Sequence, residues 1–217
     1  MKKCIIIANG QKPSKTVLNF LTKKNYNTIF CADGGANHAY SLKIIPDFII
    51  GDLDSINKKV LEYYSNKCKI IKYKSQYSTD VEKCLKYAIR KGFTEAILLA
   101  ATGDRLDHSF CNLGIVLKFY DSIKIKIVHQ KSFLFAASGN IKFQTIKDEQ
   151  ISIYGFNSKT KITSHGLKYP LKNTALPFGV KESTSNSATG SLVRLKITRG
   201  KVFVIRQFEI IKKYGFI

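Results

Sequence analysis

Tryptophan is absent from this chain of 217 residues, and acidic residues number only 15 against 36 Lys and Arg. Without Trp, any ring that stacks on a ligand must come from Tyr or Phe. The formal net charge of +21 excludes an acidic disordered chain and first suggests a nucleic-acid partner. Arginine is also scarce: Arg90, Arg105, Arg194, Arg199 and Arg206 are the whole set. Bidentate recognition of guanine or phosphate favours arginine, and the lysines are dispersed in runs of at most two, so most read as solvated surface. The five cysteines (Cys4, Cys31, Cys68, Cys84 and Cys111) contain no CxxC pair. This excludes a small disulfide scaffold and reads as buried free thiols in a reducing compartment. No stretch approaches the length of a membrane span, and the apolar run Cys4 to Ala8 is too short for a signal-peptide core. The expectation is a soluble cytoplasmic protein with no membrane partner.

Two patterns divide the chain. Short apolar runs alternate with helical spacing through Phe119. Strands are expected at Cys4 to Ala8, Thr28 to Ala32, Phe48 to Ile50, Lys69 to Tyr73 and Ala96 to Ala100. Helices are expected at Ser14 to Lys24, Asp33 to Leu42, Val60 to Tyr64, Asp80 to Arg90 and His108 to Phe119. That alternation means a parallel sheet with crossover helices. From Ile123 onward a period of two dominates, as in Ile123-Lys124-Ile125-Lys126-Ile127 and Val193-Arg194-Leu195-Lys196-Ile197. No long helical pattern follows Phe119, so this half is expected to be all-β, an antiparallel sandwich with a hairpin turn at Arg199-Gly200. Thr163 to Ser191 reads as a long irregular stretch. The boundary should fall between Phe119 and Gly139.

The few acids concentrate after the expected strands of the first half, where open parallel sheets bind ligands. In Ala32-Asp33-Gly34-Gly35-Ala36-Asn37, two glycines after a carboxylate let backbone pass close to a ligand, or simply make a tight turn. In Gly51-Asp52-Leu53-Asp54-Ser55, an extended backbone would aim Asp52 and Asp54 to one side, where only a cation relieves their repulsion. Magnesium, with its preference for hard oxygen ligands and phosphates, fits such a pair. Ser78-Thr79-Asp80 opens a helix, with Thr79 or Ser78 as cap, Asp80 as a possible third ligand and Lys83 one turn on. Thr102-Gly103-Asp104-Arg105-Leu106-Asp107-His108 offers amides for an anion and Arg105 as a clamp on phosphoryl oxygens.

Taken in order with Pro46-Asp47, Asn112, Gly166-Leu167-Lys168-Tyr169-Pro170-Leu171, Ser183-Thr184-Ser185-Asn186 and Gly190, these motifs resemble the thiamine pyrophosphokinase family over nearly the whole chain. The resemblance implies a Rossmann-like α/β domain over residues 1–125 that binds nucleotide and carries catalysis. It implies an all-β sandwich domain over 126–217 that binds thiamine and forms a homodimer. The implied reaction moves pyrophosphate from ATP, with Mg2+, to the hydroxyethyl group of thiamine, giving thiamine diphosphate and AMP. On the same ground Asp52, Asp54 and Asp80 are expected as metal ligands and, with Arg105, as catalytic residues. Asp33, Gly34, Gly35, Asn37, Lys83, Thr102, Gly103, Arg105, Asp107, His108 and Asn112 are expected around the nucleotide, and Ser185 and Asn186 around thiamine. Two positions depart from the family's usual pattern: Tyr77 stands where an acid is common, and Ala100 where glycine is usual.

Three rival readings differ in what they require. A nucleic-acid binder without turnover needs clustered basic residues and no paired carboxylates, and the dispersed lysines argue against a nucleic-acid partner. A pyrophosphokinase for another alcohol, such as a hydroxymethyl pterin, keeps the ATP half and changes the acceptor pocket. An inactive thiamine sensor keeps the fold alone.

Overall fold

The computed structural model describes residues 1–73, 77–103 and 105–217. Asp104, within the Thr102 to His108 motif, lies outside the described residues. The chain forms two compact units, Met1–His129 and Gln130–Ile217. Among the described residues no helix is long and apolar enough to cross a membrane.

The first unit runs β1 (Lys2–Ile7), α1 (Lys15–Thr22), β2 (Thr28–Ala32), α2 (Gly35–Ser41), β3 (Phe48–Gly51), α3 (Lys58–Tyr64), β4 (Lys69–Lys72), α4 (Asp80–Arg90), β5 (Phe93–Leu99), α5 (Leu106–Lys118) and β6 (Lys124–His129). Its strands are all parallel, in the order β6-β5-β1-β2-β3-β4. Strands covered on both faces need continuous apolar runs rather than alternation. The central pair supplies them: Ile5, Ile6, Ile7, Ile97, Leu98 and Leu99 are all fully buried. Helix starts are fixed locally. The Ser14 hydroxyl accepts from the Val17 amide at 3.3 Å, and the Thr79 hydroxyl accepts from the Glu82 amide at 3.3 Å. A cap of this kind stabilises a helix by about 1 kcal/mol. The alternating stretch from Ile123 was expected in an antiparallel sheet. It is instead the parallel strand beside β5, and its lysines have a local explanation. Lys126 bonds the buried Glu95 of β5, which also accepts from the Tyr26 hydroxyl. Burial works to raise the Glu95 carboxyl, but those two donors outweigh it and hold the group below its ordinary value.

After β1 the chain adds β2, β3 and β4 on one side, then returns to add β5 and β6 on the other. The strand order therefore reverses between β1 and β5, and a crevice opens where the loops leaving their carboxyl ends diverge.

The second unit comprises β7 (Ser132–Gln144), β8 (Gln150–Tyr154), β9 (Lys161–His165), β10 (Thr174–Ala175), β11 (Ser183–Ser187), β12 (Leu192–Gln207) and α6 (Phe208–Tyr214). Every pairing is antiparallel. β12 pairs with β7 along its length, while its first half takes β9 and its second half β8 as other neighbour. The inner residues of both halves, among them Val193, Leu195, Val202 and Val204, close on Ile151, Ile153 and Ile162 in one core, so the bent sheet makes a sandwich with itself.

Three expectations change here. Arg199-Gly200 is not a hairpin turn: β12 continues through it, and five residue steps from Ile197 to Val202 face two on β7, which is a bulge. Inward residues fall at 193, 195 and 197, then at 202 and 204, so the odd gap needs such an irregularity to keep both halves facing the core. Thr163 to Ser191 is not wholly irregular, since β10 and β11 lie in it. The unit also ends in a helix, α6, whose seven residues are too few for its period to show in sequence.

Candidate active site

The loops leaving β1 and β5 are laced together at the strand-order reversal. Ala8 N donates to Leu99 O at 2.9 Å, Gly10 N to Ala100 O at 2.7 Å and Gln11 N to Thr102 O at 2.9 Å. A Cβ on Gly10 would lie 2.4 Å from Thr102 O, so only glycine permits this approach. His38 holds the same loop from α2, its Nε2 lying 2.8 Å from Gly10 O. Burial lowers the His38 pKa, favouring the neutral ring that donates there. Ala100 adopts φ 52, in the left-handed region that glycine tolerates. Alanine in place of the usual glycine is therefore a strained choice rather than a neutral one.

Carboxylates enter from the next strands. Asp33, at φ 42 after β2, is 1% exposed, and its Oδ2 accepts from the Ser55 amide at 3.1 Å. Gly51 makes room for it, because a Cβ there would sit 2.6 Å from the Asp33 Cβ. Asn37 clamps the Asp52–Asp54 loop to α2: its Nδ2 donates to Ser55 O and its Oδ1 accepts from Asn57 N, each at 3.0 Å. Asp80 begins α4, where the buried Lys83 donates to its Oδ1 at 2.8 Å.

Oxygens of Asp33, Asp52 and Asp80 all lie within 4.8 Å of one another. The sequence expectation was Asp52, Asp54 and Asp80. The difference arises at Leu53, whose φ of 67 turns the backbone where an extended segment was expected. Asp54 is left exposed, its Oδ1 accepting from the Ser55 hydroxyl at 2.9 Å, and that bond holds its carboxyl below the ordinary range. Asp33 shifts the other way. Burial pushes its pKa up to about 6, the Ser55 amide partly opposes this, and Asp54 and Asp80 add to the rise.

Two of these oxygens, Asp33 Oδ1 and Asp52 Oδ1, are buried with no hydrogen-bond partner. Orphaned carboxylate oxygens inside a hard-oxygen cluster are what a divalent cation would satisfy, so the residues present fit a magnesium-type ion.

The cluster forms one wall of a cleft of about 550 Å³, lined also by Thr102, Gly103, Arg105, Asp107, His108 and Asn112. Thr102 Oγ1 is buried there without a partner. Buried Asn112 donates to Ala101 O at 2.7 Å, so it shapes the strand end from α5 and has that amide engaged. Arg105 lies against Asp107 through two bonds, of 3.2 Å and 2.5 Å. Both side chains are well exposed, and the arginine holds the Asp107 carboxyl down to about 2.

Other expected residues take different parts. Gly34 and Gly35 are demanded first by the chain itself: a Cβ would lie 2.4 Å from the Asn9 amide in one case and 2.0 Å from Ile7 O in the other. Only Gly34 lines the cleft. In the second unit, Ser185 is exposed at φ 52, but Asn186 is buried and fully engaged. Its Nδ2 donates to Tyr169 O and Ser183 Oγ, and its Oδ1 accepts from Tyr169 N and Ser187 N. Asn186 thus holds the loop at Tyr169, with its amide engaged by the chain itself. Asn9, Gly10, Ser109 and Cys111, not among the expected site residues, also line the cleft, as does Ser78 of the Ser78-Thr79-Asp80 motif. The pair Asn9-Gly10, directly after an apolar strand, was the available signal. Cys111 was expected near the core and is exposed, whereas Cys4, Cys31 and Cys84 are buried.

Known proteins share both units. Residues 21–129 match the family described as thiamin pyrophosphokinase, catalytic domain, and residues 140–202 match thiamin pyrophosphokinase, vitamin B1 binding domain. Thiamine pyrophosphokinase 1 of Oryza sativa is 30% identical over 194 residues, covering 76% of this chain and 73% of the relative. Thiamin pyrophosphokinase 1 of Caenorhabditis elegans is 27% identical over 202 residues, covering 86% and 81%. In fold, the Candida albicans thiamin pyrophosphokinase superposes with a TM-score of 0.82 at 21% identity, over 95% of this chain and 89% of that one. The Bacillus subtilis thiamine pyrophosphokinase gives 0.79 at 24% identity, over 95% and 99%. With the carboxylates at the strand-order reversal and both halves of the chain matched in order, the protein belongs to the thiamin pyrophosphokinase family.

Proposed function

We propose that this protein transfers the terminal pyrophosphate of ATP to the hydroxyethyl oxygen of thiamine, giving thiamine diphosphate and AMP. The observation that carries the reading is the pair of orphaned carboxylate oxygens on Asp33 and Asp52, beside Asp80, lining a polar cleft. Asp33, Asp52 and Asp80 would hold magnesium, which when bound neutralises phosphate charge and favours in-line displacement. Lys83, fixed on Asp80, offsets part of the repulsion within the acidic group. Arg105 exchanges its exposed contact with Asp107 for phosphoryl oxygens, where a planar guanidinium binds two at once. Thr102 Oγ1 and the backbone after β5 give further donors to the nucleotide. The hydroxyl proton of thiamine passes to solvent water.

Thiamine recognition belongs, in this reading, to the second unit, which matches the vitamin B1 binding description, with Ser185 as a contact and Asn186 as support for its loop. The working form is a homodimer. Incubation with magnesium, ATP and thiamine, with nucleotides separated by chromatography, tests the proposal. AMP and thiamine diphosphate appearing together is the expected result. ADP as product, or turnover indifferent to thiamine, overturns it.

A further inference from the structure

The excess positive charge is not used by the chemistry above, and in the second unit it is organised. Strands β7, β9, β10 and β12 contain no acidic residue. The first half of β12 buries Val193, Leu195 and Ile197 and turns Arg194, Lys196 and Thr198 to solvent. Register then sets the neighbours on that outer face. Arg194 stands between Lys142 of β7 and His165 of β9, Lys196 between Asn140 and Thr163, and Thr198 beside Lys161. From strand spacings the array covers roughly 14 Å by 10 Å. Like charges directly opposite in a sheet repel, yet among the described residues none of Lys142, Lys161, Arg194 or Lys196 forms an ion pair. By contrast, Lys83, Lys86, Lys118 and Lys126 of the first unit and Lys212 of the second each lie against a carboxylate.

We propose that this outer face of β7, β12 and β9 binds the phosphate backbone of nucleic acid without reading sequence, contrary to the expectation from dispersed lysines. Chemistry selects that partner. Between the cations stand Asn140, Thr163 and Thr198, side chains that bond phosphate oxygens. The only large apolar residue on the face is half-buried Leu192 at its end, so there is nothing to insert into a bilayer and no apolar centre for a protein interface. Apart from His165 at its edge, no aromatic ring stands on the face among the described residues, so contact is chiefly through phosphate. Four cations engaged with a single strand give a log–log salt slope of about −3.

The test measures anisotropy of a fluorescein-labelled uridine homopolymer at several salt concentrations, using the full chain. Arg194→Gln/Lys196→Gln is compared with Lys58→Gln/Lys59→Gln, which removes the same charge from exposed positions of α3. The face variant should lose roughly tenfold in affinity and about 1.5 units of slope, for every nucleic-acid sequence tried. The α3 variant should stay within about twofold of the parent, as expected of cations outside the binding face. Equal weakening by both variants means diffuse net charge and overturns the proposal. Absence of binding, or preference for phosphatidylserine vesicles over RNA, overturns it too. Thiamine-dependent AMP release, measured alongside, reports on the catalytic reading separately and should be unchanged in the face variant.

Discussion

Two buried polar sites, one in each unit, are built in opposite ways. In the second, Arg206 and Glu149 are 3% and 0% exposed and fully satisfied. The guanidinium makes two bonds to the carboxylate, at 2.7 Å and 3.0 Å, donates to Gln144 O at 2.7 Å and covers the Phe143 ring. In the first unit, Asp33, Asp52 and Thr102 keep buried oxygens without partners along one cleft. A buried group without a partner carries its full desolvation penalty, about 1–3 kcal/mol and more when charged. Satisfied burial marks architecture, and unsatisfied burial marks a place kept for a ligand. Glu82 Oε2 belongs to the second pattern by its missing hydrogen bond, but Lys86 lies 3.8 Å away and Lys118 bonds the other oxygen, so it reads as structural.

Breaking the satisfied pair should have the largest effect. Arg206→Met strands Glu149 and should cost about 3–5 kcal/mol in urea unfolding, with Arg206→Met/Glu149→Leu recovering much of it. A stable single variant would mean the pair is not what secures the second unit. Asp52→Asn should act the other way round. Thiamine-dependent turnover should fall by about a hundredfold or more, while the melting temperature of the metal-free protein holds or rises. Destabilisation by Asp52→Asn would erase the contrast between the units.

A third change sharpens the contrast through pH. Because the Asp33 pKa is raised from 3.8 to about 6, the native state binds the extra proton between those values. That contribution to stability is fully present below 3.8 and is lost as pH rises toward 6. Relative to Asp33→Asn, the metal-free protein should therefore melt at progressively lower temperature across that window. A flat difference would remove the case for a penalised carboxylate. The smallest effect concerns backbone alone: Ala100→Gly relieves a left-handed alanine and should stabilise by up to about 1 kcal/mol in thermal unfolding.

Much of this was legible in the sequence. β2 and α4 have the bounds their residues suggested, because an apolar strand and a Thr-capped helix are local events. The clusters at Asp33, Asp52, Asp80 and Thr102 were visible as acids or small residues after strands. What was not legible depended on register and dihedral angles. Leu53 exchanges Asp54 for Asp33 in the carboxylate trio through a single positive φ. Arg199-Gly200 looks the same in sequence whether it closes a hairpin or forms a bulge, and only pairing with β7 decides. Cys111 sits in an apolar-looking run, but α5 leaves Leu106, Phe110 and Cys111 exposed.

The long-range pairing of β7 with β12 has a consequence in time. In the first unit, β1, β2 and β3 each pair with the strand that follows, so that part of the sheet can grow as the chain emerges during synthesis. In the second, Ser132 must wait for Gln207, near the end of the chain. At synthesis rates of about 5–20 residues per second, β7 spends on the order of ten seconds as an open edge. The second unit is thus the slow-folding half and the one exposed to misassembly during synthesis.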